Sequence, residues 1–403
     1  MTEATVRLQA ASRVVVVVAL LGALGGCAGL DYGSNAYDPV RMPGTAEVAE
    51  RTRYRDVNYL QPLSGYRGAV DRRIGELAQT PMTAEAAVEV ALLQSQEVQD
   101  LMLDHWAQRA SFVEDVANRA SEADDVRPIE WKIQGELLSW SRTRRWSPEF
   151  GEEYLEITDT IVGTATEARK AYFQAVAAAQ LVGMLDQTVD AEKAAAELAN
   201  EQYRAGTTSR LDQARQHLAY AETYKAAAEA RREAIEKREA LNRLLKLSGA
   251  QTAWSLPDRL PDLPVERPEY SDLEAFAVTN SVNAYAGRAS NAQVTAGVNL
   301  RSEVREAYHN MLSTYDVAKF QRDTVVPLTE TALSELQLNY NAMLLDVYEL
   351  LDATREQIEA GKEYVATLAE FWIAEAELTE LLGGRLPEPA PATTAATATS
   401  ATE

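Results

Sequence analysis

Leu344, Leu351, Ile358, Val365 and Trp372 place a large apolar side chain at every seventh position. A seven-residue apolar repeat is the pattern of an α-helix whose seam winds left-handedly along a neighbour. A second track, Val347, Thr354, Gly361 and Leu368, keeps the same interval with mostly smaller side chains, so another helix can approach closely there. A helix with two seams needs two neighbours. That points to a bundle or cylinder of helices rather than a simple two-helix dimer.

The pattern belongs to a duplicated unit. Glu167-Ala-Arg-Lys-Ala-Tyr172 returns as Glu303-Val-Arg-Glu-Ala-Tyr308, an offset of 136 residues. Tyr203-Arg-Ala205 returns as Tyr340-Asn-Ala342, and Leu241, Leu244, Leu245 return as Leu378, Leu381, Leu382, both at an offset of 137. A sustained offset across three landmarks predicts two copies of one helical hairpin, packed quasi-symmetrically. Each helix is expected to run about 40 residues, roughly 60 Å at 1.5 Å per residue.

Around these hairpins the chain divides into a leader over residues 1–26, an irregular stalk or strap over 27–82, a first copy over 83–256, a proline-rich linker over 257–270, a second copy over 271–385 and a low-complexity, disordered tail over 386–403. In the first copy Thr83 is placed to cap a helix starting at Ala84 and running to about Ala120. Residues 129–138 alternate apolar and polar and read as one strand. Long helices follow from Glu152 to Arg204 and from Ser209 to Leu247, with Gly206 as the break between them. Pro257, Pro261, Pro264 and Pro268 mark the linker. A short helix is expected over 271–286, and long helices from near Leu300 to a turn at Asn341 and on to Gly383-Gly384.

The leader carries Arg7 and Arg13, an apolar run over 14–24, and Leu24-Gly25-Gly26-Cys27. A basic start, a short apolar middle and small residues at the cut are the layout of a signal peptide. The run, at roughly 11 residues, is too short to span a bilayer. Leu-Gly-Gly-Cys resembles a bacterial lipobox, which implies a diacylglyceryl group and an N-acyl chain on Cys27, the only cysteine of the chain. Such chains contribute about 0.8 kcal/mol per buried CH₂. Ala28 in place of aspartate then favours sorting to the outer membrane. Loss of residues 1–26 removes a net charge of +1 from −22, leaving about −23. That acidity argues against nucleic acid and against electrostatic docking on anionic lipid. No cofactor is expected beyond the covalent lipid.

The second copy contains Tyr340-Asn-Ala-Met343, Leu350-Leu351-Asp-Ala-Thr-Arg355, Phe371-Trp372 and Leu382-Gly-Gly384. The first copy contains Ala171-Tyr172, Tyr203-Arg-Ala-Gly206, Ser209-Arg-Leu-Asp212 and Leu241-Asn-Arg-Leu-Leu245. Together these motifs resemble the TolC family of outer-membrane efflux proteins, and within it the lipid-anchored members associated with metal or drug export. The resemblance implies a mostly α fold of duplicated, long antiparallel coiled-coil hairpins, assembled as a trimer. It implies hairpin tips received by a periplasmic adaptor that leads to an inner-membrane pump, and no reaction to catalyse. Carried over, the tip residues are Gly206, Thr207, Ser209, Arg210 and Leu211 in the first copy and Asn341, Met343 and Leu344 in the second. Gly206 permits a left-handed turn, with Thr208 or Ser209 as cap of the returning helix. Met343 stands where the family commonly has glycine, so a different second turn is expected. Asp212 and Asp346 follow the turns. They read either as a carboxylate ring at a pore mouth or as helix-start acids favoured by the dipole.

The family pattern also requires four membrane strands of about 9–11 residues per protomer. The sequence offers one candidate at 129–138 and room for one more within 287–300. Either the barrel segments are degenerate or the membrane pore is lost, and an incomplete barrel would leave backbone unpaired in lipid. The favoured reading is a helical periplasmic body held by lipid alone. His105, His217 and His309 lack metal-ligand spacing and read as solvent-facing. Trp131, Trp140 and Trp146, with Arg142, Arg144 and Arg145 among them, read either as an interfacial belt or as ordinary core and surface residues.

Overall fold

The computed structural model describes residues 66–98, 100–101, 148–280 and 291–387. The leader, Cys27, most of the stalk, the strand candidate at 129–138 with its tryptophans and arginines, His105 and the tail from 388 lie outside those residues. Within them the elements are α1 (Tyr66–Leu77), α2 (Ala84–Gln94), α3 (Pro148–Arg204), α4 (Arg210–Leu244), α5 (Leu273–Asn280), α6 (Asn291–Phe320), α7 (Val326–Asn341) and α8 (Val347–Leu381). A π turn, Gln321–Val325, joins α6 to α7 in one continuous rod. The described residues contain no strand, and no helix among them is long and apolar enough to cross a membrane.

The two hairpins are α3–α4 and α6–α7–α8. At 57 residues α3 is about 85 Å long, more than the duplication led us to expect. Side by side the rods run in the order α4, α3, α8, then α6 with α7. The two-seam reading of α8 therefore holds, since it lies between α3 and α6–α7. The small track is used as expected. A Cβ on Gly361 would come within 2.5 Å of the Met184 methyl, so α3 and α8 meet there over a glycine. The large-residue seam is used differently. Val365 is buried, but Leu351 and Ile358 are half-buried and Leu344 is exposed. Ala353, Ala360 and Ala374 carry the buried stripe in their place, because rods flanked on both sides leave room only for small side chains.

The core is concentrated at one end, the root. Leu241 and Leu245 are fully buried, and so are their copies Leu378 and Leu382. Tyr315 meets Phe371 edge-on at 5.7 Å, Phe371 meets Trp372 at 5.1 Å, and Trp372 stacks on Phe173 at 5.7 Å. Burial pushes the neighbouring Tyr172 hydroxyl up to about 12, with Glu85 adding to the rise. Toward the tips the buried apolar set thins to Leu185 and alanines such as Ala195, Ala199, Ala227, Ala230 and Ala353, and α7 buries nothing.

Several expectations are corrected. Thr83 does cap α2, accepting from the Ala86 amide at 3.1 Å, but the extended Ser95 breaks the helix after Gln94; residues 96–98 and 100–101 are helical again, and the rest of the expected run to Ala120 lies outside the described residues. Residues 66–77, read as irregular stalk, form α1, whose Val70 and Ile74 pack into the core one turn apart. The proline-rich linker, together with the residues just before it from Trp254, is a strap across the root. It buries Trp254, Leu260 and Leu263, and its carbonyls accept from Tyr315 (Pro264, 3.1 Å) and Trp372 (Pro261, 3.1 Å). Residues 291–300 are the first turns of α6, not a strand.

The π turn explains a detail of the duplication. The offset is 136 at Tyr172/Tyr308 and 137 at Tyr203/Tyr340, so the second copy gained one residue between 308 and 340. A π turn absorbs one extra residue into a helix. At Gln321–Val325 the Val326 amide donates to the Gln321 carbonyl, five residues back.

Candidate functional site: the paired hairpin tips

The two tips are built by the same backbone device at positions 137 apart. In the first, the Gly206 amide donates to Tyr203 O at 3.0 Å and the Thr207 amide to Gln202 O at 2.9 Å. In the second, Met343 donates to Tyr340 O at 2.9 Å and Leu344 to Asn339 O at 2.9 Å. Both pairs are Schellman closures, with a left-handed residue in the turn: Gly206 at φ 74° and Met343 at φ 60°. The second turn therefore does not differ from the first. Met343 is forced into the conformation its glycine counterpart adopts freely, at roughly 1–2 kcal/mol.

The returning helices are capped at matching positions, Ser209 and Asp346. Ser209 Oγ accepts from the Asp212 amide at 3.1 Å and donates to Asp212 Oδ2 at 2.6 Å. Asp346 Oδ1 accepts from the amides of Tyr348 (2.8 Å) and Glu349 (3.0 Å). Asp212 and Asp346 are thus not equivalent copies. Asp346 is a cap, while Asp212 sits three residues into α4 beside its cap. Both are engaged in starting helices, as the dipole reading expects.

One contact that the sequence did not reveal brings the tips together. Tyr348 Oη lies 2.7 Å from Gln202 Oε1, joining the first turn of α8 to the last turn of α3. Partial burial raises the Tyr348 hydroxyl above its ordinary value, and the nearby carboxylates of Asp346 and Asp212 raise it further. Tyr348 occupies the position that Leu211 holds in the first copy, and that substitution was the available signal. Leu211 points outward instead and is 60% exposed. Met343 and Leu344 are 93% and 71% exposed. Thr207, whose hydroxyl donates to Gln202 O at 3.0 Å, and Arg210 and Asn341 are also exposed. Every tip residue expected from the sequence therefore lies on one end of the rods, and the apolar ones face solvent.

Farther up the shaft lies a second link absent from sequence reasoning. Arg355 of α8 donates through Nε (2.9 Å) and Nη2 (2.6 Å) to Glu192 Oε1 of α3, and Glu192 is buried. The matching residues of the other copies are Thr329 and Leu218, so the ion pair is not duplicated. His217 faces solvent, with Nε2 3.0 Å from Asn200 Oδ1. Among the described residues no three His, Cys, Asp or Glu side chains gather in a metal-binding group.

No family profile matches the sequence, and no curated protein does. Solved structures match the fold. CusC, whose structures concern transmembrane channel formation, aligns with a TM-score of 0.51 at 12% identity, over 75% of this chain and 92% of its own. The outer membrane protein VceC of Vibrio cholerae aligns at 0.51 and 10% identity, over 74% and 96%. A membrane protein from Pseudomonas aeruginosa aligns at 0.50 and 13% identity, over 74% and 93%. The fold is thus the duplicated-hairpin fold of TolC-like outer-membrane channels.

Proposed function

We propose that this chain is the outer-membrane component of a tripartite export system, anchored by lipid on Cys27 and assembled from three copies. Its hairpin tips are received by a periplasmic adaptor, and the driving force comes from an inner-membrane pump. It performs no catalysis and holds no cofactor other than the acyl chains. The observation that carries this reading is the pair of matched tips. They lie side by side, tied by Tyr348 and Gln202, and expose Leu211, Met343 and Leu344 far from the core that stabilises the fold. Exposed apolar residues on a rigid, capped end are what a helical partner can bury. Crosslinking to the cognate adaptor tests it. Gly206→Glu with Leu211→Glu should abolish the crosslink, and an unchanged yield overturns the tip assignment.

A specific observation favours a second reading, a barrel-less scaffold or regulatory lipoprotein that does not conduct. Between α5, ending at Asn280, and α6, starting at Asn291, only ten residues remain. A membrane hairpin needs two strands of about 9–11 residues each. Membrane fractionation separates the readings. If lipid is the only hold, Cys27→Ser releases the protein into the periplasm. Continued integral behaviour, with conductance in planar bilayers, supports the channel.

A further inference from the structure

The two tips share a backbone but not a surface. At the 137-residue offset, Arg204, Arg210 and Arg215 of the first correspond to Asn341, Val347 and Asp352 of the second. Every cation of the first tip is thus missing from the second. On the first tip Arg204 answers Glu201 at 2.7 Å and Arg215 answers Asp212 at 3.4 Å. Arg210 is exposed and has no ion pair among the described residues. On the second tip Arg355 answers Asp352 at 2.9 Å. Asp346 and Glu349 are exposed, and neither has an ion pair among the described residues. One end is therefore basic and its neighbour acidic.

The turns differ as well. Gly206, Thr207 and Thr208 form the first, and Met343, Leu344 and Leu345 the second. Met343 is 93% exposed and Leu344 71% exposed. Glycine at 343 would make the same Schellman closure without strain, as Gly206 does. Met343 holds φ 60° and buries almost nothing within the chain, so neither the turn nor the core accounts for it. Strained positions of this kind persist where the side chain has another use. A contact outside the chain supplies one.

We propose that the second tip sets which periplasmic adaptor this chain accepts: Met343 and Leu344 enter an apolar socket at the end of the adaptor's helical hairpin, and Lys or Arg on the socket rim faces Asp346 and Glu349. This inference rests on tip docking in the function proposed above and adds the chemistry of the partner. Methionine suits the role, because an unbranched, polarizable side chain fills an irregular hollow. Charge supplies the selectivity. A basic rim is drawn to Asp346 and Glu349 and repelled by Arg210, so an adaptor placed on the wrong tip meets like charge. An adaptor with an acidic rim is turned away from the second tip by the same two carboxylates.

Pairwise affinities between the full-length lipidated chain and the purified periplasmic adaptors of its host test this. The tightest binder should carry Lys or Arg beside apolar residues at its hairpin tip. Met343→Gly with Leu344→Thr gives the second turn the residues of the first and leaves the Asp346 cap in place. It should weaken that adaptor about tenfold and bring it level with the others. Glu349→Lys should weaken it similarly, and replacing the adaptor's rim cation by glutamate should restore binding. Arg210→Gln should leave the order of affinities unchanged. Unchanged affinity in the Met343 and Leu344 variant, or a new order caused by Arg210→Gln, overturns the role of the second tip. Tip docking itself still stands in that case if Gly206→Glu with Leu211→Glu abolishes the complex. If the parent chain binds no adaptor, both fall. If the Met343 and Leu344 variant loses only end-to-end association of the chain with itself, the occupant is a second copy and the proposal is overturned.

Discussion

Arg355→Met and Glu192→Met should have unequal effects, and the inequality can be worked from exposure. The Glu192 side chain is 2% exposed and that of Arg355 40%. Two unit charges about 4 Å apart attract by about 4 kcal/mol at an effective dielectric of 20. Most of that offsets the cost of removing the carboxylate from water, so the pair as a whole is near neutral. Removing Arg355 leaves the carboxylate buried without its partner. The full penalty for a buried pair is about 3–5 kcal/mol; with one partner half in water it should be about 2–3 kcal/mol. Removing Glu192 leaves a guanidinium that already reaches solvent and still has Asp352 at 2.9 Å. That loss should be about 0–1 kcal/mol. The double variant should return to within about 1 kcal/mol of the parent, since Leu218 and Thr329 occupy the matching positions without any pair. Hydrogen exchange over residues 188–199 and 352–360 reads the local opening free energy directly, which suits long rods that need not unfold in one step. Equal losses in the two single variants, or a double variant losing their sum, would refute this account of the pair.

Met343→Gly should relieve the left-handed strain without loss of burial. The added freedom of the unfolded chain offsets part of the gain, leaving about 0.5–1 kcal/mol of stabilisation of the tip by hydrogen exchange. The same variant should weaken adaptor crosslinking, and a destabilised tip would mean that the Met343 side chain is held by contacts. Ser209→Ala and Asp346→Ala each remove a cap and should cost about 1 kcal/mol of local stability at the first turn of α4 or α8; loss at only one turn contradicts the matched-cap reading. Glu380 has its carboxyl pKa raised above 4.5 by burial and by Asp159, Glu167 and Glu377, against the lowering effect of Lys170. The folded state therefore holds that proton more tightly than the unfolded chain, and stability falls as pH rises through and above the ordinary carboxylate range. Glu380→Gln should stabilise the root at pH 7, with the gain fading as pH drops below 4.5, by denaturant midpoint at each pH. A gain independent of pH would exclude ionisation as its source.

What was legible in the sequence was whatever local chemistry decides alone. Thr83 and Ser209 announce their caps, and Gly206 its turn, because a few neighbouring atoms fix those conformations. The duplication was legible in part because the landmark pairs Leu241/Leu378 and Leu245/Leu382 are fully buried, while Tyr203/Tyr340, at the tips, are exposed. What was missed depends on tertiary partners. The strap looked like a linker because its prolines exclude helix and strand, yet Trp254, Leu260 and Leu263 were apolar signals of burial. Gly68 and Gly75 hid α1, which Val70 and Ile74 hold to the core. Residues 291–300 contain glycine, threonine and asparagine, poor helix formers, and become helical as an extension of a much longer rod. Tyr348 and Arg355 were invisible because each acts on a residue of the other hairpin.

The distribution of these features along the rods bears on function. The two copies agree at the root, where Leu241, Leu245 and the left-handed Lys246 match Leu378, Leu382 and Gly383. They agree again at the tips, where two Schellman turns and two caps coincide. They diverge in between, by an extra residue taken up by the π turn and an ion pair in place of Leu218 and Thr329, and at the first turn of the returning helix, where Tyr348 turns inward and Leu211 turns out. A fold needs a common core, and a shared partner surface needs common tips; the shaft is where one copy can depart from the other without cost to either. The departures also fall where α8 meets α3 and where α6 passes into α7, the places at which one hairpin faces the other or faces an edge. That pattern is expected if the two hairpins, once alike, kept a common core and a common end and came to hold different neighbours along the shaft.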